Sequence, residues 1–273
     1  MESVRPSASG TAAWLMRSVA FLVALVACPL FAGMKMRVIE GRPVVDGVYV
    51  NGHGPYRFLV DTATTSNHID AALARSIGLK ATFRSELASS AGVIQVQGCN
   101  GVEVTLESVR ADGQQFVFAG MEVVHQIAPD VQGILGQEFL SRFDYLLDVH
   151  ARRLEFGTLQ RGGNGMQVPF RSLHGRPVVS TSLGELAVDS GTNWVTLFGR
   201  EGRDLAHSRM LTLSGSTDVG AIFSKLQIEG RTFWRGDAMA IPRVEETGVS
   251  GLLPVSVFRA VYISNSKGYV IFE

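Results

Sequence analysis

The chain has 273 residues, with 25 Lys plus Arg balanced by 25 Asp plus Glu, so its formal net charge is zero. That balance leaves no electrostatic footprint for nucleic acid or for an anionic membrane surface. Hydrophobic residues make up 46% and there are 30 glycines, which excludes a disordered chain and suits strands joined by tight turns.

The N-terminus differs from the rest. Arg5 and Arg17 precede an apolar run from Val19 to Ala32, broken by Pro29. The run is short for a membrane span and fits the core of a secretory leader over residues 1–33. Cleavage after Ala32 is one expectation. Leu25-Val26-Ala27-Cys28 resembles the lipobox of bacterial lipoproteins, in which Cys28 would be lipidated, and retention as an uncleaved anchor is a third. All three predict an exported protein of the periplasm or cell envelope, and the last two tie its N-terminus to the membrane. Cys99 is the only other cysteine, so a chain cleaved after Ala32 has no internal disulfide.

Beyond the leader the sequence repeats. Gly41-Arg42-Pro43-Val44-Val45 recurs as Gly175-Arg176-Pro177-Val178-Val179. Each is followed by an apolar run ending in aspartate, Phe58-Leu59-Val60-Asp61-Thr62 and Leu186-Ala187-Val188-Asp189-Ser190. Asp70 is placed to N-cap a short helix that carries Leu73 and Ile77 on one face and stops at Gly78. The second copy has the loop-like Phe198–Gly202 there. Val102, Val104 and Leu106 alternate as in a half-buried strand, and Asp112-Gly113 reads as the hairpin turn after it. Leu226, Ile228 and Glu229-Gly230 repeat that pattern. Gly133-Ile134-Leu135-Gly136 and Gly251-Leu252-Leu253-Pro254 then lead into paired strands ending at Phe156 and Phe272. Matches in the same order predict a duplication, with halves at 34–160 and 161–273 joined through the glycine-rich segment 160–164.

An aspartate closing an apolar strand is partly desolvated, which favours its neutral form. The tight turn after it aims backbone N–H groups at the carboxylate. Two copies facing each other bring two carboxylates together, and like charges that close hold one proton between them. One member can then activate water while the other protonates a carbonyl.

These residues resemble the retropepsin-like aspartic peptidases, in particular bacterial single-chain forms with two fused lobes. Leu59-Val60-Asp61-Thr62-Ala63 and Val188-Asp189-Ser190-Gly191 match the family's apolar-Asp-Thr/Ser-Gly motif, and Ile134-Leu135-Gly136 matches its second signature. The likeness covers roughly residues 37–273. It implies an all-β fold of two pseudo-twofold-related β-barrel lobes with few short helices, a monomer containing an internal pseudo-dimer. It implies an exported endopeptidase with Asp61 and Asp189 as the catalytic dyad. Thr62, Ala63, Ser190 and Gly191 would support the active-site loops, with Thr62 and Ser190 interlocking them. Each lobe would carry a glycine-tipped flap, at Ser89-Ser90-Ala91-Gly92 and at Ser214-Gly215-Ser216-Thr217. The substrate would be a peptide or protein bound in extended conformation. Two departures stand out: Ala63 replaces the motif glycine in the first copy, and Pro254 replaces the second-signature glycine in the second.

No cofactor or metal is expected, because the chain has no P-loop, no G-x-S-x-G, no H-E-x-x-H and no paired C-x-x-C. The six histidines lack ligand spacing, and His68 reads as a surface or packing residue. Trp194, just past the second motif, fits either the substrate cleft or the core. A different class also fits: a catalytically inactive relative that binds peptide or a partner protein in the cell envelope, motivated by Ala63.

Overall fold

A computed structural model describes residues 33–89, 91–158, 165–242 and 248–273, the side chains of 204–207 excepted. The leader with Cys28, Ser90 and the segment 160–164 lie outside the described residues. Among those described, no helix is long and apolar enough to cross a membrane.

The first half runs through β1 (Met34–Ile39), β2 (Arg42–Val50), β3 (His53–Val60), β4 (Asn67–Asp70), α1 (Ala71–Ser76), β5 (Phe83–Ser89), β6 (Gly92–Leu106), β7 (Val109–Ala119), α2 (Glu122–Ile127), β8 (Gly133–Leu135), α3 (Gln137–Leu140), β9 (Tyr145–Asp148) and β10 (Arg153–Phe156). The second runs through β11 (Met166–Pro169), β12 (Arg171–Leu173), β13 (Arg176–Thr181), β14 (Gly184–Asp189), β15 (Thr196–Phe198), β16 (Arg203–Thr212), β17 (Gly215–Ile228), β18 (Arg231–Ile241), β19 (Gly251–Pro254), β20 (Ala260–Ser264) and β21 (Tyr269–Phe272). The fold is all-β, with few short helices.

Strand order repeats between the halves. In the first it is β2-β3-β8-β4-β7-β6-β5, and in the second β13-β14-β19-β15-β18-β17-β16. In each, the strand that leads into the aspartate pairs in parallel with the second-signature strand: Val60 faces Leu135, and Asp189 faces Pro254. These inner strands are buried on both faces, so Val60, Leu135, Val188 and Leu253 form continuous apolar runs rather than alternating ones. The halves also share one sheet, because β9 pairs antiparallel with β20, Ala260 opposite Asp148 and Ile263 opposite Tyr145. A single hydrophobic cluster runs through both, from Phe58, Phe139 and Tyr145 to Val188, Leu253 and Phe272.

Local expectations hold in most places. Asp70 Oδ1 accepts from Ala72 N (2.8 Å) and Leu73 N (2.9 Å), and Gly78 ends the helix region with a positive φ of 77°. The hairpin turn expected at Asp112-Gly113 is a correction. The β6–β7 hairpin turns at Glu107-Ser108, with Leu106 opposite Val109 and Glu107 itself at φ 53°. Gly113 lies inside β7 (φ 68°), where the register shifts between Val102 and Val104. A left-handed glycine serves a β-bulge as readily as a turn, so Asp112-Gly113 does not correspond to Glu229-Gly230, which does turn between β17 and β18.

Candidate active site

Asp61 and Asp189 stand at the ends of β3 and β14, where each chain leaves its parallel pair. The turns that follow are locked together by a reciprocal set of buried hydrogen bonds. Thr62 Oγ1 donates to Val188 O (2.7 Å) and accepts from Ser190 N (3.0 Å). Ser190 Oγ donates to Val60 O (2.6 Å) and accepts from Thr62 N (3.0 Å). Each hydroxyl thus serves the other half as donor and acceptor, and both residues are fully buried. Thr62→Val keeps the shape but orphans Val188 O and Ser190 N. It is expected to lower stability by about 2–4 kcal/mol, read as a lower urea midpoint.

Across this lock both carboxylates lie beside Gly191. Gly191 N donates to Asp189 Oδ1 (2.6 Å). A methyl group placed on Gly191 would fall 2.4 Å from Asp61 Oδ2. The motif glycine is therefore required for space beside the opposite aspartate, and Gly191 is not among the residues with positive φ. Ala63 is not among them either, and its N–H still donates to Asp61 Oδ1 (3.0 Å). The alanine departure thus keeps its donor without backbone strain.

The two acids differ in setting. Asp61, half-buried, also accepts from Thr64 N at Oδ1 (3.1 Å) and from Thr64 Oγ1 at Oδ2 (2.8 Å). Burial raises its pKa above the ordinary carboxylate value, opposed by the Thr64 and Ala63 hydrogen bonds and by the charge of Arg42. Asp189 is 5% exposed. Burial first, and then the charge of Asp61, raise its pKa well above the ordinary value, opposed by the Gly191 N–H, Arg42 and the Thr192 N–H. Asp61 accepts three hydrogen bonds and is the more exposed of the two, a setting that supports a negative charge better than that of Asp189.

The sequence reading missed Thr64, although both copies carry threonine three residues past the aspartate. It also missed Gln137, whose Nε2 donates to Thr62 O (2.6 Å) beneath the loop. Pro254 is accommodated by a paired change. In the first half Gly136 N donates to Asn67 Oδ1 (3.0 Å). In the second, Val195 occupies the place of Asn67, so the N–H that proline lacks has no acceptor waiting.

The hairpin tips expected as flaps meet each other. Ser89 Oγ is 2.9 Å from Thr212 Oγ1 and also contacts Ser214 Oγ, and Ser214 Oγ donates to Gly92 O (3.1 Å). Ala91 and Gly215 face one another across the contact. The second tip is Leu213-Ser214, so Gly215, Ser216 and Thr217 lie within β17 rather than in the turn. Trp194 is half-exposed at 51%, not in the core. His68 is buried at 1% with Nδ1 unpartnered, which makes it a packing residue and not a surface one. A separate surface groove beside Tyr56, Arg57, Leu73 and Asp130 includes neither aspartate.

No curated protein matches this chain. Residues 47–139 match the family model described as Aspartyl protease. That span includes Asp61 and the Ile134-Leu135-Gly136 signature, and it ends before Asp189. Over residues 47–139 the chain is therefore similar to aspartyl proteases, which supports a protease function.

Proposed function

We propose that the chain is an exported aspartic endopeptidase with two lobes, 34–160 and 161–273, and a catalytic dyad of Asp61 and Asp189. The observation that carries this reading is the placement of both carboxylates around Gly191 by the Thr62–Ser190 lock. With one proton on the pair, the settings assign the negative charge to Asp61 and the proton to Asp189. Asp61 takes a proton from water as that water's oxygen attacks the scissile carbonyl carbon. Asp189 gives its proton to the carbonyl oxygen. The tetrahedral diol then collapses: Asp61 passes its proton to the leaving nitrogen, the C–N bond breaks, and Asp189 recovers a proton from a diol hydroxyl. The meeting hairpin tips fit a substrate bound as an extended strand beneath them, held by main-chain hydrogen bonds.

The test is an unbiased peptide library incubated from acidic to neutral pH with the chain from residue 34 and with its Asp61→Asn and Asp189→Asn variants. Cleavage by the parent and not by the variants is the expected result. No cleavage at any pH would leave the peptide-binding reading in its place. Gly191→Ala is expected to lower kcat/KM at least about tenfold, because displacing Asp61 by a fraction of an ångström disturbs the reacting geometry. Ala63→Gly is expected to keep activity within about threefold of the parent, since only a methyl is removed and the N–H donor is retained. Kinetics on one cleaved peptide checks both.

A further inference from the structure

No proton-transfer step above is assigned to the repeated Gly-Arg-Pro-Val-Val segment, yet the fold packs one copy against an active-site loop and the other against the helix that supports one. Gly41 (φ 79°) and Gly175 (φ 82°) each turn left-handed at the start of the segment. A methyl group on Gly41 would lie 3.2 Å from Asn193 Cβ and 3.3 Å from Ser256 Cβ, both in the second half. One on Gly175 would lie 2.9 Å from Gln137 Cβ, in the first half, where Gln137 supports Thr62. The Gly41 turn therefore packs against the loop that follows Asp189, and the Gly175 turn against α3 beneath the loop that follows Asp61. The arginine that follows continues across: Arg42 Nε donates to Gly191 O at 2.8 Å over 149 residues of sequence, from a side chain only 17% exposed.

We propose that the duplicated segment is a clamp between the halves and that Arg42 is its positioning residue. Its guanidinium holds the Gly191 carbonyl and fixes a positive charge beside the aspartate pair. A planar fork suits this task better than a flexible ammonium. The head also contacts its own turn, with Nη1 3.3 Å from both Glu40 O and Glu40 Oε2. The other groups that face the pair electrostatically are Arg176 from β13 and Tyr145 from β9. A cation beside two acids favours their charged forms. Arg42 thus keeps Asp61 ionised to lower pH than burial alone would allow.

This inference rests on the dyad reading, and its test separates the two. In the full chain, the pH profile of kcat/KM on a cleaved peptide is compared for wild type, Arg42→Met and Arg42→Lys. The carboxyl carbons of 13C-labelled aspartate are titrated by NMR in the same proteins. Arg42→Met is expected to move the acidic limb and the dyad's NMR titration to higher pH. At the midpoint of the wild-type acidic limb its kcat/KM falls about fivefold, while Arg42→Lys restores most of the shift. An Arg42→Met titration that overlays wild type would overturn the proposal, and so would an Arg42→Lys shift as large as that of Arg42→Met. Should Arg42→Met fail to fold, Arg42→Gln is titrated instead. If wild type cleaves nothing, the peptidase reading fails while the NMR titration still decides the role of Arg42.

Discussion

Asp189→Asn is expected to lower kcat about a thousandfold or more, because the proposed proton donor to the carbonyl oxygen is lost, and yet to melt above wild type at pH 7. The two effects share one cause. The folded-state pKa of Asp189 is raised by burial and by Asp61. A carboxyl with a raised folded value binds more protons folded than unfolded above the unfolded value of 3.8. Its favourable contribution is complete below that pH and is lost as pH rises toward the folded value. At pH 7 the wild type therefore carries a penalty that asparagine removes, while Asn Oδ1 can still accept from Gly191 N. A higher melting temperature than wild type at pH 7, with the difference shrinking toward pH 4, is expected. Thermal melts of both proteins at several pH values check it.

His68 works in the opposite direction. Burial lowers its pKa from 6.5 to about 4. A histidine with a depressed folded value binds fewer protons folded than unfolded between those limits. Its contribution is complete above 6.5 and is lost as pH falls toward 4, on the order of 3 kcal/mol in all. His68→Leu, which fills similar space without a titratable ring, is expected to remove that acid-side loss. Urea midpoints at pH 7, 5.5 and 4 should then fall less toward acid in the variant than in wild type. The aspartate pair favours acid and His68 favours neutrality, so the two contributions oppose each other as pH changes.

How far the sequence could be read depended on whether a signal was local. The duplication, the two aspartate turns and the short helix at Asp70 were legible, since each is written in adjacent residues. Gly113 misled because positive φ is needed by a bulge as well as by a turn, and glutamate at 107 took the turn without glycine. The burial of His68 was not legible. Its polar neighbours in Asn67-His68-Ile69-Asp70 suggest exposure, while β4 lies between β7 and β8 and is covered on both edges. The β9–β20 pairing and the Arg42 bridge join residues more than a hundred positions apart, and no local pattern encodes them. Thr64 could have been found by reading each motif one residue further.

Asp61 bears most of the weight, because its turn is Asp-Thr-Ala and its proposed part in catalysis rests on facing Asp189. The most direct measurement is the pH dependence of kcat/KM for one cleaved peptide, wild type against Asp61→Asn. A bell-shaped wild-type profile and a loss of about a thousandfold in the variant are expected. Cleavage by Asp61→Asn at the wild-type rate would contradict a dyad that shares one proton.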